Sequence, residues 1–440
     1  MAPSLPVRAG SGRADGGNGV TIGRIGSVIE RECGLEMILA SPDDLPPTAA
    51  NPDEVGDLEQ YLDAADVAVV GVLHAFKCGD VLDQLADIKR RRGADFVPTV
   101  LVLGGTDVNV DAGDKADVLT RRAHAVDKVV SFSASMIAAA PPRSLPSDGR
   151  TAVVPQGVSL PEEVKGVPSV EGVPSGVFEE EGFEEEGFEE EDFEEEGFDV
   201  ADDALSPPPP LPLHEACGVP TSMPVFLLPA GLRPVKDVLW AVDAIDAVGA
   251  GSADASPPFV LAIVGPSLDD KYRDAVVERL RRSKNVVLIP PVDRAHTVGY
   301  MRAATAVVNT SKSEGQSGAI LEAAAAGVPI VARDIPGNRA LLDLLLDATG
   351  ETPGGERDEE GFQEEGFESH PCGLLCPTPE SFAAALSGSA AGRRRRSTDR
   401  AALGAECLAR NERDRWRGII RELIGDTPED GCGPDVAAAA

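Results

Sequence analysis

The chain has 440 residues, 42% of them hydrophobic, enough for cores in two or three domains of the usual ~100–200 residues. Its formal net charge is -34, from 74 Asp and Glu against 40 Lys and Arg. That balance excludes nucleic acid and anionic membrane surfaces as expected partners, because phosphate backbones need clustered Lys and Arg.

The opening MAPSLPVRAGSGR has no apolar core of signal-peptide length, and no run in the sequence is long enough to span a bilayer. Its early Arg and Ser, with no acid before Asp15, also fit an organelle transit peptide; the expectation is a cytoplasmic protein. Residues 1–15 read as a disordered start. From 16 to 158 the pattern is that of an α/β unit. Apolar runs at Leu35–Leu39, Val67–Val72, Val97–Leu103, Val129–Phe132 and Thr151–Val154 alternate with helix-like stretches at Thr21–Glu32, Val81–Arg91 and Ala116–Ala125. His74 ends one strand-sized run, with Lys77 and Gly79 after it, and Gly104, Gly105, Thr106 and Asp107 end another. Glycines at such points let backbone approach a substrate, and an imidazole or carboxylate there can orient a hydroxyl. A hydrogen-bonded structural histidine and a plain turn fit the same residues.

Residues 159–222 read as a disordered insertion. Phe178, Phe183, Phe188, Phe193 and Phe198 recur every five residues among glutamates, and Phe362 and Phe367 repeat the pattern in EEGFQEEGFES. A period of five matches neither strand nor helix, so these rings cannot line one face of either. Dense like charge and regular glycine then predict disorder. The two readings are an expanded surface insertion and an acidic-aromatic docking motif for a basic partner. The proline-rich Pro207–His214 extends the chain toward the next unit.

A second unit spans 223–425, with an acidic insertion at 350–369 and a disordered tail at 426–440. Runs at Val225–Leu228, Phe259–Val264, Val286–Ile289, Ala306–Val308 and Val328–Val331 alternate with helical stretches that include Val235–Val248 and Asp269–Arg282. Alternation of this kind predicts βαβ units and parallel sheets covered on both faces, with ligands beyond the carboxyl ends of the strands. Just past the first strand, Gly231 permits a tight turn, and Arg233 and Lys236 supply two cations around Pro234. Cations at a helix start oppose its dipole, so an anionic ligand accounts for them better than solvent does. Past the fourth strand lies SEGQSGAILEA. A helix from about Gln316 would place Glu314 and Glu322, eight positions apart, roughly on one side, with the N–H groups of Gln316, Ser317 and Gly318 open to a phosphate. A surface helix with two solvated glutamates has the same spacing. The four arginines Arg393–Arg396 fit a targeting or polyanion patch but read better as the solvated start of a last helical region.

The seven cysteines are scattered and odd in number, which fits reduced thiols. Cys372 and Cys376 have the spacing of a metal half-site, but no second half is evident. Outside the acidic insert there is no Asp-x-Asp pair, so neither a metal nor another cofactor is expected.

From Phe226 to Leu342 the sequence resembles the nucleotide-sugar-binding half of the group 1, family 4-like glycosyltransferases, whose mark is a glutamate pair spaced like Glu314 and Glu322. GLRPVKD, SEGQSGAILEA and ARDIPGN are similar to the glycosyltransferase 1 domain-containing protein 1 family. GNGVTIGRI, LHAFKCG, GGTDVN and VVPQGV extend the resemblance through the amino-terminal half in the same order. The resemblance implies a GT-B type fold, α/β with two Rossmann-like domains facing a cleft. It also implies a retaining, metal-independent transfer from a nucleotide-sugar donor to an acceptor that the sequence does not identify. Glu314 would contact the donor sugar, Glu322 the nucleotide ribose, and the loop at Pro290–Val292 the base. Gln316, Ser317, Gly318, Gly231, Arg233 and Lys236 would complete the donor site, with His74 and Asp107 on the acceptor side. The chain departs from the family in lacking a first strand ahead of its glycine-rich segment, and in Gln316 and Ser317, which replace an apolar residue and a proline or glycine. A noncatalytic nucleotide-sugar binder and a sugar-nucleotide epimerase are the alternatives; the latter needs more acid and base groups than Asp107.

Overall fold

In the computed structural model, the described residues are 17–36, 38, 57–109, 115–158, 160–161, 210–249, 259–350, 367–386 and 391–425. The acidic repeat from Phe178 to Phe198, Phe362, residues 1–15 and the tail at 426–440 lie outside them, as do the side chains of Arg393–Arg396. In chain order, the first half contains α1 (Gly17–Cys33), α2 (Asp57–Ala64), β1 (Val70–Leu73), α3 (Gly79–Arg92), β2 (Thr99–Val102), α4 (Gly105–Asn109), α5 (Ala116–Ala125), β3 (Lys128–Ser131), α6 (Ala134–Ala139) and β4 (Thr151–Val153). The second half runs through α7 (Leu213–Ala216), β5 (Val225–Pro229), α8 (Val238–Gly249), β6 (Val260–Val264), α9 (Asp270–Leu280), β7 (Val286–Ile289), α10 (Arg294–Ala303), β8 (Ala306–Asn309), α11 (Gly318–Ala325), β9 (Ile330–Arg333) and α12 (Pro336–Ala348). It ends with β10 (Glu368–His370), β11 (Gly373–Cys376), α13 (Pro379–Leu386) and α14 (Ala391–Ile424).

The fold is α/β with two sheets. The first, in the order β1-β2-β3-β4, is parallel throughout. The second has the order β10-β11-β9-β8-β5-β6-β7 and is parallel except for β10, which runs antiparallel to β11. Continuous apolar strands such as β6, buried at every position, are what a parallel sheet covered on both faces demands. Alternate residues of β5 show the two layers: Val225 and Leu227 join one core, Phe226 and Leu228 the other.

Several expectations are corrected. None of the described residues within Leu35–Leu39 is in a strand; Gly34, at φ 64°, closes α1, and Leu35 packs against the first core. A short stretch of Leu35, Met37, Ile38 and Leu39 interrupted by Glu36 does not by itself make a strand. Helix α1 begins at Gly17, so the glycine-rich segment is itself helical. The insertion placed at 159–222 includes α7, where Leu213 is buried and the carbonyl of Leu211 accepts a hydrogen bond from Tyr300 Oη. The insertion placed at 350–369 likewise ends too late. Phe367, counted with the repeat, is 4% exposed and belongs to the core that also holds Phe226 and Phe382, and β10 follows it at once. Its five-residue spacing hides this because one ring enters the sheet layer as an anchor rather than as part of a periodic face. Cys372 and Cys376 join opposite cores, so they do not form a half-site; burial pushes the Cys376 thiol up to about 12.

Helix α14 joins the halves. It packs on α11 and α12 of the second half and on α1 of the first. Gly404 makes the approach possible, since a Cβ there would lie 2.2 Å from the Leu345 carbonyl oxygen. Further along, Trp416, 2% exposed, enters the core of the first half. Phe367→Ala should remove about 3–5 kcal/mol from the second half by opening a cavity at the sheet edge. Urea unfolding followed at Trp240, in the same core, checks it; an unchanged midpoint would mean that the ring is not a core residue.

Candidate functional site

The loops that follow β5 and β8, two neighbouring strands, carry most of the predicted donor site. After β5 the chain turns at Gly231, where a Cβ would lie 2.6 Å from Leu268 Cδ1; Leu232 then bridges to Ser267 beyond β6. Arg233 is extended, Pro234–Lys236 form one 3-10 turn, and Asp237 takes a left-handed conformation at φ 44° before α8 begins. The predicted helix over Val235–Val248 is therefore broken at its start. Asp237 is held there by Arg333 at 2.8 Å and Lys312 at 3.3 Å. The Lys312 N–H donates to the Val235 carbonyl at 2.9 Å, and Thr310 Oγ1 to the Lys236 carbonyl at 2.9 Å, so the two loops are stitched together.

Glu314 sits at that junction. Its Oε1 accepts from Lys236 Nζ at 2.6 Å, from Ser311 Oγ at 2.6 Å and from Asn309 Nδ2 at 3.4 Å. Asn309 is buried; its Nδ2 also donates to Ser317 Oγ at 3.0 Å, and its Oδ1 accepts from Asn338 Nδ2 at 3.1 Å. Burial opposes the charged form of Glu314, but the Lys236 charge and the hydrogen bonds from Lys236, Ser311 and Asn309 outweigh it and hold the carboxyl below its ordinary value. Two glycines leave room for this loop. A Cβ on Gly337 would lie 2.1 Å from the Glu314 carbonyl oxygen, and one on Gly105 would lie 2.8 Å from the Gly315 N.

Helix α11 begins at Gly318, two residues later than the start expected near Gln316, with the Ser317 side chain capping the Ile320 N–H; Glu314 precedes the helix and Glu322 lies on it. Each carboxylate has its own cation: Glu322 Oε1 accepts from Arg294 Nε at 2.6 Å, as Glu314 does from Lys236. Lys236 is thereby paired within the protein. Arg233 differs. Its Nε is buried with no partner among the described residues. The same is true of Gln316 Nε2, on the loop after the neighbouring strand. Val292 leads into α10 and packs partly buried against the core, and Gly318 opens α11 with nothing within 4 Å of its would-be Cβ.

His74 and Asp107 are both buried, His74 at 2% exposure and Asp107 at 0%. His74 has φ 82°, a conformation that costs energy for a residue with a Cβ. Asp107 braces it: Oδ1 lies 2.5 Å from His74 Nδ1, while Oδ2 accepts from the N–H groups of Ala75 at 3.0 Å and Gly104 at 2.8 Å. The backbone N–H groups of Phe76 and Lys77 also approach Nδ1, each at 3.4 Å, so this edge of the ring is enclosed by protein. The expectation that Asp107 acts on a hydroxyl is corrected, because its oxygens face inward and it positions His74. Gly104 lies under the imidazole, where a Cβ would be 2.9 Å from Cδ2, and Gly105 meets Gly315, so His74 is close to the Glu314 loop across the seam between halves.

Three partners of this seam were not singled out in the sequence. The Gln156 N–H donates to Gln316 Oε1 at 2.9 Å, and Arg24 Nη2 donates to Gln156 Oε1 at 3.1 Å. Arg24 also pairs with Glu412 of α14, whose Oε2 accepts from the Gly157 N–H at 3.0 Å. Arg24 and Gln156 lie inside GNGVTIGRI and VVPQGV, but Glu412 sits in an unremarkable helical heptad and gives no local signal.

Lys236→Met should cost about 1.5–3 kcal/mol, because it leaves the partly buried Glu314 carboxylate without its cation, and adding Glu314→Gln should recover most of it. The sign of the pH dependence follows from the depressed carboxyl. Its contribution is complete above the unfolded value near 4.5 and is lost as pH falls through the lower folded value. Denaturant unfolding between neutral pH and pH about 3 checks both, with Glu314→Gln expected to flatten the acid limb.

Residues 223–352 match the family model described as Glycosyl transferases group 1. Over 118 residues, 27% of this chain, the sequence is 37% identical to a Glycosyltransferase 1 domain-containing protein 1 from Xenopus tropicalis, and the match spans about a third (33%) of that relative. Among solved structures, the fold is similar to a sucrose-phosphate synthase from Thermosynechococcus elongatus, with a TM-score of 0.57 at 14% identity, covering 93% of this chain and 94% of that one. It is also similar to an alpha,alpha-trehalose-phosphate synthase from Burkholderia vietnamiensis, with a TM-score of 0.52 at 14% identity, covering 83% and 77%. Residues 223–352 are thus similar to the group 1 glycosyl transferases, and the fold as a whole is of the GT-B type.

Proposed function

We propose that the protein transfers a sugar from a nucleotide-sugar donor to an acceptor, with retention of anomeric configuration and without a metal ion. The observation that carries this reading is a pair of buried N–H donors without partners among the described residues, Arg233 Nε and Gln316 Nε2, on loops at the carboxyl ends of adjacent parallel strands. Buried donors are ordinarily satisfied, and a ligand rich in oxygens supplies what these lack. That is also where an open α/β sheet binds its ligand.

In this reading Arg233 faces the diphosphate and stabilises the charge that develops as it leaves. Ser317 and Gly318 shape the start of α11 beside it. Glu314, held rigid by Lys236, Ser311 and Asn309, contacts the donor sugar, as the family resemblance implies. Glu322, oriented by Arg294, takes the ribose, and Val292 lies against the base. His74, held in place by Asp107, serves the acceptor side. The acceptor oxygen replaces the diphosphate at the anomeric carbon, and the nucleoside diphosphate departs. No helix among the described residues is long and apolar enough to cross a membrane, and a cytoplasmic location with a basic partner for the acidic repeats belongs to the same proposal.

A noncatalytic binder is the second reading. It is favoured by the first sheet, which among the described residues has no strand ahead of β1. A thermal-shift panel of UDP, GDP and ADP with their glucose, N-acetylglucosamine and mannose conjugates distinguishes them when followed by assay of diphosphate release. Expected are stabilisation by one nucleotide family, a loss of affinity of about 10–100-fold in Arg233→Ala, and release with an acceptor. Stabilisation without release under any acceptor supports the binder, and no stabilisation by any compound contradicts both.

A further inference from the structure

Gln316 is the one predicted donor-site residue whose side chain is fixed by the opposite half of the molecule. Its orientation is not ambiguous. The Gln156 backbone N–H, 2.9 Å away, needs an acceptor, so the atom facing it is Oε1 and the other end of the amide is the NH2 group. That NH2 is buried and has no partner among the described residues. The Gln156 segment is itself anchored: Arg24 of α1 holds its side chain, and the Gly157 N–H donates to Glu412 of α14, which is 2% exposed and paired with Arg24. A Cβ on Gly157 would lie 2.5 Å from Ala409 Cα, so the segment is also held against α14 by backbone contact.

We propose that Gln316 is a specificity-determining residue that reads a hydroxyl of the donor sugar through Nε2, and that Gln156 is the positioning group that aims it. The inference rests on the transferase reading above and assigns a role to the neutral donor of the orphan pair. The diphosphate's charge is met by Arg233, whereas an uncharged amide suits an uncharged hydroxyl acceptor. Gln316 takes its orientation from the first half, so the sugar contact exists only where the two halves meet. Nucleotide binding, on the second half, does not need that contact. The geometry thus separates two parts of the ligand: the nucleotide is held by one half, and the sugar is read at the seam.

The test uses the full chain with the nucleotide sugar that stabilises it best and with the matching free nucleoside diphosphate, both titrated by calorimetry. Gln316→Glu keeps an oxygen for the Gln156 N–H but replaces the NH2 by an acceptor. Gln316→Met removes both functions without adding charge, which controls for repulsion of the diphosphate. The expected result is a loss of about tenfold or more in affinity for the nucleotide sugar in both variants, with affinity for the nucleoside diphosphate unchanged in Gln316→Met. Equal loss for both ligands, or no loss for either, overturns the assignment while leaving the transferase reading intact. Failure of the unaltered chain to bind either ligand overturns both.

Discussion

A partly buried ion pair fixes the geometry of the second half. Lys236 and Glu314 come from loops 78 positions apart and meet at 2.6 Å. The pair is stabilising only because its surroundings complete it: Ser311 and Asn309 donate to the same carboxylate oxygen, and Asn338 and Ser317 tie Asn309 in turn. Its consequence is positional. With Lys236 paired to Glu314, the loops after β5 and β8 are locked at the strand ends, and Arg233 and Gln316 keep buried donors without an acceptor among the described residues. A site that binds phosphate and sugar needs such preorganised donors, since they are worth most where water is excluded.

Much of this was legible in the sequence. Parallel α/β architecture followed from apolar runs alternating with helical stretches, and β7 lies at its predicted bounds because Val286–Ile289 is an unbroken apolar run flanked by Asn285 and Pro290. The strands β10 and β11 were missed because they lie in and after the acidic repeat, whose composition masks the anchor Phe367. Local spacing put the helix start near Gln316, and the Ser317 cap moves it only to Gly318, with Glu314 ahead of it as expected. No local pattern could announce the partners that decide the electrostatics, Lys236 for one carboxylate and Arg294 for the other, because both are tertiary contacts.

The seam between the halves is built from close backbone approach and a polar relay. Gly105 against Gly315, and Gly157 against α14, permit distances that any side chain would forbid. Arg24, Glu412, Gln156 and Gln316 then connect α1, the crossing helix and the donor loop in one hydrogen-bonded series. His74 sits beside this seam in a left-handed conformation that Asp107 supports. Strain that a fully buried carboxylate maintains is a sign that the position of the imidazole matters, and it ties the first half to the same chemistry as the second.

Amide hydrogen exchange on the intact chain, with and without saturating UDP-glucose or GDP-mannose, addresses the central claim directly. The account predicts slowed exchange over Gly231–Lys236 and Ser313–Gly318 together with one of these ligands, and little change on the far side of the sheet near β10. Unaltered exchange in both loops with each ligand, or protection confined to surfaces away from Arg233 and Glu314, would contradict it.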